Sequence, residues 1–262
     1  MAYPLQNLQF LTNVRTSEVW KTIVSAISTI TDEAQFEADP KGIGFRCKDR
    51  TKEAFLDIFI PENTFRYYHC PELIRFGILA GDLLRAIKRL YSHDSVELFI
   101  QDRFLVIRSK GDSELSYKLN LIESKPPASS LKKMTFDTKL TIKTEMLASI
   151  LDDIKVLSSR ITLKTIHGRT TTTTFDSVND TGLALVTIGQ KYDNPNVQYH
   201  SSSLQKCQGS YSVGPMSQLL NLIGGSCEFV ELEYSNERPL RLKVQPFECV
   251  VVQLYLAPQA EI

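Results

Sequence analysis

Apolar residues recur at helical spacing in four stretches of the chain. In SEVWKTIVSAISTI (17–30), Val19, Ile23, Ile27 and Ile30 share one side. In DLLRAIKRL (82–90), Leu83, Leu84, Ile87 and Leu90 do the same. TEMLASILDDIKVL (144–157) brings Leu147, Ile150, Ile154 and Leu157 together. GPMSQLLNLIGG (214–225) is shorter, with proline near its start and glycines at its end, where helix termini favour them. Each spacing predicts an amphipathic helix. Between the helices the period changes to two. AQFEA, GIGFRC, AFLDIFI, SVELFI, FLVIRSK and LSYKLNL read as strands in the first half. RITLKTI, TTTTTFD, GLALVTI, FVELEY, PLRLKVQ and CVVVQLYL read as strands in the second. The threonine run 170–174, rich in β-branched side chains, is expected on an exposed strand.

The order helix, three strands, helix, three strands therefore occurs twice, which marks an internal duplication carried by element spacing more than by residue identity. Between the copies lies ESKPPASSLKKM (123–134), whose two prolines lack amide donors and whose remainder is small or charged. The expected architecture is α+β: two similar domains, 1–122 and 135–262, joined by the connector 123–134. Each carries two helices packed on antiparallel β-sheet.

Charge changes the picture by its placement. Thirty basic and thirty acidic side chains cancel over the 262 residues, which excludes a surface that is basic all over. Yet Arg85, Lys88 and Arg89 all project from the polar side of the second helix, beside one acid, Asp82. The known chemistries of catalysis find little support. Five cysteines (Cys47, Cys70, Cys207, Cys227, Cys249) are odd in number and widely spaced, as in a reduced intracellular protein. His69 and Cys70 form the one close pair of metal-ligand type, with no second pair to complete a site. No dinucleotide fingerprint, phosphate loop, nucleophile elbow or zincin motif occurs. Asp152 and Asp153 are neighbours on a helix and diverge by about 100°, so they do not converge on one bond or metal. No catalytic residue, metal or cofactor is expected, and the chain reads as a binding protein. An enzyme with scattered catalytic residues is the competing class. MAYPLQNLQF does not read as a secretory leader, and no apolar run reaches membrane-spanning length. The expected location is cytoplasmic, on the nucleoid of an archaeal cell, or nuclear in a eukaryotic one.

The duplicated α+β unit, the proline-containing connector and three sequence blocks together resemble the sliding clamps of the proliferating cell nuclear antigen type, especially archaeal ones. The blocks are DEAQFEADPKGIGFRCKD, FGILAGDLLRAIKRLYSHDSVEL and PLRLKVQPFECVVVQLYLAP. Tyr255–Pro258 (YLAP) is the most specific piece. The resemblance implies a non-enzymatic ring of three subunits, closed head to tail around duplex DNA and lined by helices. Lys21, Arg85, Lys88, Arg89 and Lys155 would face phosphates, holding DNA without reading bases. Tyr117 and Leu119 on one edge strand, with Leu183 and Leu185 on another, would meet between subunits. DNA polymerase, flap nuclease, ligase and the clamp loader would dock short peptides in a pocket made by Lys48, Phe55, Leu131, Pro239, Tyr255, Leu256, Ala257 and Pro258.

Two features depart from that pattern. The helix at 144–157 shows Ser149, Asp152 and Asp153 with Lys155 as its cation, and the helix at 214–225 has no basic residue. Lys48 and Glu53 stand where the family commonly has apolar pocket residues. Both departures fit a second reading: a specialised or checkpoint-type subunit of a hetero-trimeric ring with an altered partner pocket.

Overall fold

The structure is a computed structural model that describes residues 10–111, 113–128, 134–168, 170–179, 182–189, 195–200 and 206–259. In the first half the order is β1 (Leu11–Val14), α1 (Glu18–Ser28), β2 (Glu33–Asp39), β3 (Gly42–Lys48), β4 (Ala54–Pro61), β5 (Tyr67–His69), β6 (Ile74–Leu79), α2 (Ala80–Lys88), β7 (Ser95–Gln101), β8 (Phe104–Lys110) and β9 (Glu114–Asn120). The second half repeats it as β10 (Thr138–Lys143), α3 (Thr144–Lys155), β11 (Arg160–Ile166), β12 (Thr172–Asn179), β13 (Gly182–Gly189), β14 (Val197–Tyr199), β15 (Lys206–Ser212), α4 (Val213–Ile223), β16 (Phe229–Tyr234), β17 (Leu240–Phe247) and β18 (Val250–Leu256). The repeat is therefore richer than the hydrophobic pattern predicts. A strand opens each half, and two more precede each second helix. β6 escapes detection because IRFGIL runs into α2 with no polar break, and β5 is only three residues long.

By internal contacts the described residues form two units. One gathers 10–48, 56–128 and 247–251; the other gathers 49–55, 134–246 and 252–259. In the first unit an antiparallel sheet runs β5-β1-β7-β8-β9, and β3-β2-β6 form a second antiparallel set. Alternation in β2 sends Ala34, Phe36 and Ala38 inward, where Phe36 stacks on Phe76 of β6 at 5.2 Å between ring centres. Ile23 and Ile27 of α1, with Leu83 and Ile87 of α2, are fully buried, so the apolar stripes of both helices are spent on this core. The start of α1 is tied to the loop after α2: the Thr16 hydroxyl donates to the Ser92 carbonyl at 2.6 Å and the Ser17 hydroxyl to the Tyr91 carbonyl at 2.9 Å.

The second unit holds the sheet β13-β12-β11-β15 and the strand run β14-β10-β16-β17. Its core contains Leu147, Leu151 and Ile154 of α3 and Leu219, Leu220 and Ile223 of α4. The threonine run does not lie on an exposed strand, as its composition predicts. Thr171 and Thr173 point inward and are buried. The reason is a hydrogen-bonded chain: the Thr165 hydroxyl meets the Thr173 hydroxyl at 2.7 Å and the Tyr234 phenol at 2.5 Å, so the polar atoms are satisfied inside.

One face of β10, β16 and β17 carries a ladder of alternating charge. Register sets Lys139 opposite Glu233, Glu233 opposite Arg241, and Glu231 opposite Lys243. Lys243 Nζ lies 3.0 Å from Glu231 Oε1, and Lys139 also reaches this carboxylate. Burial alone would raise the Glu231 carboxyl, but hydrogen bonds from Lys139 and Lys243 and the charges of both outweigh it and hold it below its ordinary value. A lowered folded-state value means the contribution is full above the ordinary carboxylate range and disappears as pH falls through the lowered value. Thermal unfolding of Glu231→Gln against the parent chain checks this: the gap between their midpoints is expected to be widest near neutral pH and to close toward pH 3.

Candidate nucleic-acid interface

The apolar stripe of α2 fixes where its cations go. Ala80, Leu83, Ala86 and Ile87 are buried, Leu84 is half-buried, and Leu90 is buried just past the helix end. At 100° per residue this leaves Arg85, Lys88 and Arg89 on the open side, and all three are exposed. Arg85 pairs with Asp82 one turn earlier. Arg85 and Lys88 in the last turn also complement the carbonyl end of the helix dipole, a modest local gain that does not require three cations.

The other two predicted cations are placed differently. Lys21 is half-buried, and its ammonium lies 3.2 Å from Glu18 Oε1 and 3.2 Å from Ser92 Oγ, so it is already engaged within the first unit. Lys155 donates to Ser217 Oγ of α4 at 2.6 Å. Among the remaining exposed positions of α3 are Glu145, Ser149, Asp152 and Asp153; α4 exposes Gln218, Asn221 and Leu222. The structure thus brings Arg85, Lys88 and Arg89 together, while the outer side of α3 is acidic.

The four predicted interface residues lie on open sheet edges. β9 ends the five-stranded sheet, with Leu115, Tyr117 and Leu119 half-buried and Ser116, Lys118 and Asn120 exposed. Between α2 and β9 is a cavity of about 320 Å³ lined by Asp82, Arg85, Ala86, Arg89, Tyr117 and Leu119. β13 ends the four-stranded sheet. Its Leu183 and Leu185 are 59% and 58% exposed, and Val178 sits opposite Leu183 on β12. Open strand edges that carry exposed leucines are surfaces that need a partner.

The predicted peptide pocket divides. Phe55, Tyr255 and Leu256 are buried, and the Phe55 and Tyr255 rings meet at 5.9 Å, so these three pack against neighbours and do not line an open surface. Ala257 is half-buried and its amide donates to the Glu53 carbonyl at 2.8 Å. Pro239 is half-buried; Lys48, Glu53 and Pro258 are exposed. Leu131 lies outside the described residues. The open space beside the tail is a groove of about 770 Å³ whose walls include Lys206, Gln208, Ser210, Asn236, Pro258 and Gln259. The Gln259 amide donates to the Ser210 carbonyl at 2.9 Å, and Arg160 Nε to Gln259 Oε1 at 2.9 Å, which fixes the tail against β15. Sequence reasoning finds Pro258 but misses the β15 wall, because KCQGSYS buries cysteine, glycine and tyrosine in place of the aliphatic alternation that announces a strand. Among the described residues no group of three histidine, cysteine or acidic side chains is arranged to hold a metal ion. No helix is long and apolar enough to cross a membrane among these residues.

Known proteins resemble the chain over most of its length. The family described as "Proliferating cell nuclear antigen, N-terminal domain" matches residues 10–125. The DNA polymerase sliding clamp of Nitrosopumilus maritimus is 30% identical over 245 residues, covering 94% of this chain and 96% of that protein. The DNA polymerase sliding clamp of Cenarchaeum symbiosum is 30% identical over 243 residues, covering 93% and 95%. Among solved structures, proliferating cell nuclear antigen from Thermococcus kodakaraensis superposes with a TM-score of 0.87 at 19% identity, over 95% of this chain and 100% of the other. The Entamoeba histolytica protein does so at 0.85 and 18%, over 97% and 100%. The duplicated α+β fold and the relatives that span almost its whole length lead to one conclusion: the chain belongs to the family of DNA polymerase sliding clamps of the proliferating cell nuclear antigen type.

Proposed function

We propose that the chain acts as a sliding clamp and not as an enzyme: three copies close head to tail around duplex DNA and tether replication and repair enzymes to it. The observation that carries this is the grouping of Arg85, Lys88 and Arg89 on the open side of α2 in a chain with no net charge. Cations concentrated on one helix meet phosphates by counterion release, which is independent of base sequence and leaves the ring free to move. Polymerase, flap nuclease, ligase and loader dock short peptide motifs in the groove beside Pro258 and Gln259, where the open space and the tail backbone lie together. Exposed Lys48 and Glu53 bias that docking toward motifs with compensating charge. The ring works in the cytoplasm on the nucleoid if the cell is archaeal.

Loading the protein on primed circular DNA, then linearising the circle, tests topological capture. Retention on the closed circle with loss from free ends is expected, together with stimulated primer extension by a cognate polymerase. Equal retention on both substrates would overturn encirclement. The acidic side of α3 favours a second reading, a subunit of a hetero-trimeric ring whose neighbours supply the missing cations. Light scattering on the lone chain separates the two, because a stable homotrimer at low micromolar concentration excludes an obligate hetero-ring.

A further inference from the structure

The turn after α2 carries side chains that the fold does not require. Tyr91, Ser92 and His93 are all exposed, and Tyr91 is 69% open to solvent. A single exposed aromatic needs no explanation by itself, but this one stands on a fixed support. The carbonyls of Tyr91 and Ser92 accept from the Ser17 and Thr16 hydroxyls. The Asp94 amide donates to the Tyr91 carbonyl at 3.1 Å, and the Asp94 side chain is buried and accepts from Ser109 Oγ. The turn is thus tied to α1 at one end and to β8 at the other, so little backbone freedom is left to lose on binding. Cations surround the ring. Lys88 and Arg89 come just before Tyr91, His93 just after, and the bonds from Thr16 and Ser17 bring Arg15 alongside; all four are exposed. The acids of this corner are engaged: Glu18 pairs with Lys21 at 3.2 Å, and Asp94 is inside. The second copy of the repeat lacks the arrangement. β7 starts at Ser95 and β16 at Phe229, so Tyr91, Ser92 and His93 correspond to Gly225, Ser226 and Cys227. The same connection closes there with neither an aromatic ring nor a cation.

We propose that Tyr91, with Arg15, Arg89 and His93 around it, is a site for unpaired nucleic acid. Its ring stacks on a base of the single strand that continues from a duplex held by α2, while the cations meet the flanking phosphates. The inference rests on the placement of DNA along the open side of α2 proposed above, and adds a preference for the junction between duplex and single strand. Bases inside a duplex already stack on one another and offer a phenol no free face. An unpaired base does, whatever its identity, and an aromatic platform among cations holds single strands without reading sequence.

Fluorescence anisotropy on the full chain tests it with two labelled DNA hairpins that share one duplex, one blunt and one ending in about ten unpaired thymidines, between about 0.05 and 0.2 M NaCl. The parent chain is expected to bind the overhang hairpin about tenfold more tightly, the effect of about one stacked base. Tyr91→Ala should erase that preference while leaving affinity for the blunt hairpin within about twofold, and Tyr91→Trp should keep it. Stacking releases no counterions, so Tyr91→Ala should leave the salt slope on the overhang hairpin unchanged. Arg15→Ala should make that slope shallower by about 0.7, for one lost single-strand phosphate contact. Both positions are exposed, and unchanged circular dichroism melting checks that each variant folds. A Tyr91→Ala chain that keeps the preference, or that loses affinity equally for both hairpins, overturns the stacking site. A parent chain that favours neither hairpin overturns it too; retention of that chain on closed circles would leave the clamp itself standing, and failure of both assays would defeat the clamp reading.

Discussion

Gly42→Ala is expected to lower the unfolding midpoint of the protein by about 10 °C, the shift that follows from a loss of about 3 kcal/mol in a chain of this size. Gly42 opens β3 at φ +148°, a backbone conformation L residues rarely adopt. A Cβ there would lie 2.2 Å from the carbonyl oxygen of Ile60 and 2.8 Å from Cα of Pro61, both backbone atoms that cannot swing aside. The turn is held closed around this contact: the Glu62 amide donates to the Lys41 carbonyl at 2.9 Å, and the Tyr68 phenol donates to the carbonyls of Asp39 at 2.6 Å and Gly42 at 2.8 Å. Relief of the clash must therefore break these bonds or move β4. Gly81→Ala is the internal control. It stands in the first turn of α2 with open space around it, and alanine there should leave the midpoint unchanged or raise it slightly. Calorimetry that finds Gly42→Ala as stable as the parent chain would show that this turn is not held as tightly as its contacts imply.

The contrast between these glycines reflects what a sequence can reveal. Gly81 and its helix are legible, since Leu83, Ile87 and Leu90 repeat at helical spacing and no other element is needed to explain them. Gly42 reads only as part of a turn, because its constraint comes from Ile60, eighteen positions away, on a different strand. The same division runs through the site. Arg85, Lys88 and Arg89 are legible as exposed because the apolar stripe of their own helix determines their direction. The engagement of Lys21 is not, because Ser92 comes from a distant loop that only the packing of α1 against α2 brings close. The tail shows the limit most plainly. Phe55 and Tyr255 read as pocket residues, yet the ring of each fills the space that the other would leave open. The groove beside Pro258 is built on β15, a strand whose buried positions are Cys207, Gly209, Ser210 and Tyr211, and on the Gln259–Ser210 backbone bond, neither of which leaves a periodic trace.

Replacing Arg85, Lys88 and Arg89 together by alanine is expected to abolish stimulation of a cognate polymerase or flap nuclease on primed DNA while leaving the fold intact. The side chains are exposed and the buried stripe of α2 is untouched, so melting should change by no more than a surface substitution does, within about 0.5 kcal/mol. The functional loss is expected to divide among the three positions. Lys88→Ala removes one phosphate contact per copy, three in a three-copy ring. The log–log slope of DNA affinity against salt should become shallower by about 2.7, with affinity lower by on the order of a hundredfold near 0.1 M salt. Arg85→Ala and Arg89→Ala should each make the slope shallower as well, because both side chains share the open side of α2 with Lys88. Protein concentration is the control, because a contact to phosphate cannot be recovered by adding more subunits once rings are closed. If the triple variant stimulates its client enzymes as the parent chain does, at any protein concentration, α2 does not face DNA, and the cations must serve another surface of the molecule.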